Sequence, residues 1–89
     1  MAVSFAADVR PLFQPKDINC MKPMGVLLDD YAYMSDPAGG AEFPDHENAR
    51  EVYARLTGAD QPQMPMGGPF WSAAQLNTFN QWMTDGFLP

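Results

Sequence analysis

Asn19-Cys20-Met21-Lys22-Pro23-Met24-Gly25 is the stretch on which the reading of this chain turns. It carries the single cysteine of the 89 residues and two of the seven methionines. One cysteine excludes an internal disulfide and supplies no thiolate cluster for zinc. Pro23 lacks a backbone donor and Gly25 tolerates left-handed backbone, so both oppose a continuing helix. With Pro15 they break any sustained period from Gln14 to Leu27. The spacing predicts a long loop there, anchored by Ile18, Met21, Met24 and Val26. A loop of this length in a small domain is unusual and often functional.

On its N-terminal side, Ser4 is placed to cap a short helix over residues 5–13. Phe5, Val9, Leu12 and Phe13 then share one helical face, and Pro11 bends or limits the segment. On the C-terminal side, Leu28 to Ser35 reads as a short helix capped by Asp29, ended by Pro37, Gly39 and Gly40. Asp45 is placed to cap the clearest helix, His46 to Thr57. Ala49, Val52, Tyr53 and Leu56 form its apolar stripe, and Gly58 is its left-handed stop. Glu51 and Arg55 make a favourable i, i+4 pair worth about 0.3 kcal/mol. Ala59 to Trp71 holds three prolines and two glycines and is read as irregular. Ser72 then opens the last helix with Gln75 in a capping box, and Trp71 and Leu76 at the spacing of a hydrophobic staple. Leu76, Phe79 and Met83 share its inner face, Trp82 lies at the edge, and Gly86 ends it. No stretch alternates with a period of two, so the fold class expected is all-α: about four short helices joined by long Pro/Gly-rich loops, in one domain over residues 1–89.

A net charge of −6 opposes nucleic-acid binding, which requires a cationic face. It suits a self-repelling monomer or the partner of a basic surface. Residues 1–8 have neither a basic start nor a long apolar run. The chain as given therefore reads as cytoplasmic, with no signal peptide and no membrane span.

Five segments carry a further signal in their order: Phe5 to Phe13 with its Arg10-Pro11 pair, Val26-Leu27-Leu28-Asp29-Asp30-Tyr31, Asn48 to Gly58, Met64-Pro65, and Trp82-Met83-Thr84-Asp85-Gly86. The set resembles a class I cytochrome c domain, in particular the short domains of the planctomycete-type cytochrome c group. The resemblance implies an opening helix, a haem-attachment loop, a helix leading to the axial-ligand loop, and a closing helix. The family signature Cys-x-x-Cys-His-Gly falls on Cys20-Met21-Lys22-Pro23-Met24-Gly25. Cys20 stands for the first thioether cysteine and Gly25 matches, but Pro23 replaces the second cysteine and Met24 replaces the proximal histidine. Met64 falls where the family places its axial methionine. The only histidine, His46, lies far from the motif. Covalent haem and its electron transfer are therefore not expected to carry over.

The reading preferred from the sequence is a non-enzymatic, haem-free accessory or protein-interaction module, its partner another protein and its cofactor none. Methionine fills irregular gaps well, so Cys20, Met21, Met24, Met64 and Met66 are expected to fill the space left by the porphyrin. Phe5, Tyr53, Phe70, Trp71, Phe79 and Trp82 are expected to close over it, with Met24 and Met64 facing inward into a filled core. The alternative is a haem held by Cys20, Met24 and Met64, or Cu(I) bound by Cys20, Met24, Met64 and Met66, because thiolates and thioethers are soft ligands that select Cu(I). Catalysis has the least support, since Cys20 has no nearby histidine to act as base.

Overall fold

Ser4 opens the first helical segment as its residue type predicts, its hydroxyl accepting from the Ala7 amide at 3.2 Å. The segment it opens is not a regular α-helix. In this computed structural model, which describes residues 2–61, 63–64 and 69–89, Phe5–Val9 winds as a π-helical turn and Arg10–Leu12 as a 3-10 turn. Pro11 cannot donate to the Ala7 carbonyl, and its ring would crowd that oxygen. The backbone widens instead: the Val9 amide donates to the Ser4 carbonyl and the Arg10 amide to that of Phe5, both across five residues. Phe5 and Val9 are buried by this winding.

The expectation of a loop from Gln14 to Leu27 is corrected. Pro15–Met21 forms an α-helix, α1, followed by a 3-10 turn Lys22–Met24. Pro15, read as a breaker, sits at the first helical position, where its missing N–H costs nothing and its fixed φ suits the helix. Asp17 lies in the first turn, at the positive end of the dipole. Gly25, at φ 80°, closes the 3-10 turn.

The next helix, α2 (Tyr31–Met34), is shorter than expected, and its cap is Asp30 rather than Asp29. The Asp30 carboxylate accepts from the Ala32 amide at 2.9 Å. Helix α3 (Glu47–Thr57) also begins one residue late. Its N-cap is His46, at φ 47° and without a side-chain cap bond. The amides of His46 and Glu47 donate instead to the carbonyls of Pro37 and Ala38, at 3.1 and 3.0 Å. The preceding loop thus does what Asp45 was expected to do, and the Asp45 carboxylate turns to His46 Nδ1 (2.6 Å) and Arg50 Nη2 (3.1 Å). The stripe Ala49, Val52 and Leu56 is buried as its spacing predicts, and Gly58 ends the helix at φ 86°. Helix α4 (Ala73–Thr84) has the full capping box between Ser72 and Gln75.

Two aromatics of α4, Phe79 and Trp82, are fully buried and organise the core. Trp82 lies 5.5 Å from the Phe5 ring, 5.5 Å from Phe79 and 5.1 Å from Phe87. The two chain ends meet there. Trp82 Nε1 and the Phe5 amide both donate to the Leu88 carbonyl, at 2.8 and 2.9 Å. The Tyr31 hydroxyl donates to the Phe87 carbonyl at 2.6 Å, tying α2 to the same tail. Ser4 and Leu88 form an isolated parallel bridge, and the described residues contain no strand. The described chain is thus all-α in character, and none of its helices is long and apolar enough to cross a membrane.

Candidate functional site

Six buried side chains, one of them from α1, converge on a single cleft. Phe13 follows the N-terminal 3-10 turn, Met21 ends α1, Leu28 precedes α2, Leu56 lies in the last turn of α3, Met64 follows α3, and Trp71 precedes α4. The Met64 amide donates to the Arg55 carbonyl at 2.9 Å, which folds the chain after Gly58 back over the last turn of α3. Gln63 Nε2 reinforces this by donating to the Leu56 carbonyl. The six enclose a cleft of about 240 Å³, with Lys16, Asp17 and Cys20 of α1 on its rim. Phe13 and Trp71 form its aromatic wall, their centroids 5.0 Å apart. Cys20 is an exposed free thiol.

This arrangement corrects two expectations. Met64 faces inward, 3 % exposed, but Met24 is 62 % exposed and takes no part in the cleft. The unforeseen helix α1 is the cause. Each helical residue rotates the side chain by about 100°, so Met21 is buried, Cys20 reaches the rim, and Met24 emerges on the outside after the 3-10 turn. The second correction is that the space is an open cleft rather than a filled core. Of the six aromatics expected to close over this space, only Trp71 lines the cleft. Phe5, Phe79 and Trp82 are buried elsewhere in the core, Tyr53 packs against it, and Phe70 is 54 % exposed. Of the sulfur residues singled out for haem or Cu(I), Cys20 and Met64 are brought together. Met24 is left apart, and Met66 lies outside the described residues. Met21 joins the pair in its place.

His46 is committed elsewhere. Its ring stacks on Phe87, centroids 3.8 Å apart and nearly parallel, and it takes no part in the cleft. Arg50 approaches the same Phe87 ring at 5.9 Å. The hydrogen bonds from His46 and then Arg50 hold the Asp45 carboxyl below its ordinary value.

A second cluster had no sequence signal, because its members come from three separated segments. Carboxylate oxygens of Glu42, Glu51 and Asp60 lie within 4.8 Å of one another. Burial, followed by the neighbouring Asp60, pushes Glu51 up to about 7, against the opposing Arg55 guanidinium at 3.0 Å. Asp60 is held below its ordinary value by its hydrogen bond to Glu51. Like-charged carboxyls at this distance relieve their repulsion by keeping a proton on one of them. Of the coupled pair it is Glu51 that is pushed up and Asp60 that is held down, with Arg55 favouring the charged form of both.

Among the described residues, the chemistry available at the cleft is that of carbon and sulfur, with the polar side chains Lys16, Asp17 and Cys20 at the rim. No protein-family model, curated protein or solved structure matches the chain.

Proposed function

We propose that this chain is a non-enzymatic, haem-free module of cytochrome c-like architecture that acts by binding, as an accessory or interaction protein. The observation that carries the reading is what stands around Cys20. Pro23 holds the place of a second thiol, and the outward-facing, 62 % exposed Met24 holds that of a proximal histidine. The residues present therefore do not fit a haem held by two thioethers and an imidazole. The only imidazole of the chain is engaged by Asp45 and Phe87. A cleft of about 240 Å³ is also smaller than the roughly 300–1,000 Å³ of sites for drug-sized ligands, and a tetrapyrrole is a large ligand. The element order, with N-terminal turn, α4 and C-terminal tail joined through Trp82, is compatible with the proposed architecture. Against catalysis stands Cys20, exposed and without an imidazole beside it. The net charge of −6 favours a partner with a basic surface. The test is reconstitution of the purified chain with haem under reducing conditions. No Soret band above that of free haem is expected, and a stoichiometric ligated spectrum would overturn the reading.

One observation favours a second reading. Cys20, Met21 and Met64 line the same cleft, so three soft sulfur ligands are available to Cu(I) without Met24. Retention of one Cu(I) per chain against a chelator of micromolar affinity, lost in Cys20→Ser, would establish it.

A further inference from the structure

We infer that the cleft between α1 and Met64 is a binding site for a small uncharged molecule of one or two rings, or an aliphatic of similar size, entering past Cys20. Interiors are ordinarily packed to a density of about 0.75, yet this short chain leaves about 240 Å³ open beside its core. An apolar cavity of about 150 Å³ is enough to hold benzene, so the space here suits a larger, one- or two-ring ligand. Its lining sets the class. Phe13 and Trp71, tilted at 47°, offer a ring face and edge. Met21 and Met64 offer polarizable sulfur, which packs well at aromatic edges. Leu28 and Leu56, 1 % and 2 % exposed, close the floor. No charged side chain lies among these six, so a charge carried in among them would lose its hydration without compensation. Lys16, Asp17 and Cys20 occur only at the rim, where a single hydroxyl or N–H substituent of the ligand would find a partner. A concave, mostly apolar site with a few polar groups at one edge is the usual form of a small-molecule pocket. The inference rests on the haem-free reading, and the experiment separates the two.

Indole is titrated into the ¹⁵N- and methyl-labelled full-length chain and followed by NMR, and iodoacetamide labelling of Cys20 is timed with and without saturating indole. The expected result is saturable binding with shifts concentrated on Met21, Leu28, Leu56 and Met64, together with at least threefold slower labelling of Cys20. Cys20→Phe, a change at an exposed position, should abolish the saturable shifts while leaving the circular dichroism unchanged. Shifts spread over the surface without saturation, or unchanged labelling of Cys20 at the highest soluble indole concentration, would overturn the inference. So would protection of Cys20 that grows with protein concentration in the absence of indole, because a second copy would then fill the cleft. Haem added in a parallel arm addresses the other reading. A Soret band with displacement of indole overturns the haem-free function but keeps the cleft as a site, whereas loss of indole binding with no Soret band removes this inference alone.

Discussion

Replacing Trp82 by phenylalanine tests whether one indole joins the two chain ends. Trp82 is fully buried, and its Nε1 donates to the Leu88 carbonyl at 2.8 Å. Loss of that bond costs about 1 kcal/mol net. The cost stays at this end of the range because Leu88 still accepts from the Phe5 amide at 2.9 Å. The smaller ring leaves a void among Phe5, Phe79 and Phe87, adding about 1–1.5 kcal/mol in lost contacts. Together these give about 2–2.5 kcal/mol, against a total stability of about 4–13 kcal/mol for a chain of this length. For a domain of this size that lowers Tm by about 8–20 °C. Trp82→Ala should cost about 3–5 kcal/mol and leave the chain marginal. Urea unfolding followed by far-UV circular dichroism measures all three proteins. Trp71→Phe is the internal control: Trp71 lies on the cleft, where part of its surface already lacks neighbours, so it should cost less than half as much. A Trp82→Phe protein within 0.5 kcal/mol of the parent, or a Trp71→Phe protein equally destabilised, would refute this account of the core.

The caps of α2 are separable: Asp30→Ala should lower stability by about 1 kcal/mol and Asp29→Ala by a few tenths at most, since only Asp30 accepts from Ala32; equal losses in urea melts would contradict the assignment. Glu51, raised from 4.5 to about 7 by burial and then by Asp60, binds its proton more tightly folded than unfolded, so its contribution to stability is full below about pH 4.5 and falls as pH rises to about 7. Comparing melts at pH 5 and pH 7.5, Glu51→Gln should remove that part of the slope; an unchanged slope would show that Glu51 titrates normally. Phe87 holds φ 58° while its ring stacks on His46. Both Phe87→Ala and Phe87→Gly lose the ring, but only glycine relieves the left-handed backbone. Phe87→Gly should therefore be at least as stable as Phe87→Ala, and a deficit above 0.5 kcal/mol in denaturant melts would count against strain at this position.

The features legible in the sequence were those decided by a few adjacent residues. Ser4 and the Ser72–Gln75 box cap their helices because a hydroxyl or amide oxygen meets a free amide within three residues. Gly58 and Gly86 stop theirs because positive φ is cheap without a Cβ. Ala49, Val52 and Leu56 are buried because their spacing puts them on one face. The order and the all-α class follow from such local rules. The cleft was legible only in part: Cys20 and Met64 were singled out and do share it, while Met24, chosen on the same sulfur chemistry, does not.

The tertiary structure decided the rest. Seven residues from Pro15 to Met21 are too few to form a stable helix alone, where nucleation costs more than so short a segment returns. The burial of Met21 and the packing of Ile18 against the core stabilise α1. That one element then determines which sulfur faces the cleft and which faces water. The left-handed start of α3, the Asp45–His46–Arg50–Phe87 cluster, the meeting of Glu42, Glu51 and Asp60 and the open space beside Met64 likewise depend on groups distant in the chain. Cys20 illustrates the division: its solitude excludes an internal disulfide and a doubly tethered haem on sequence grounds, but only the rotation of α1 sets it at the mouth of the cleft.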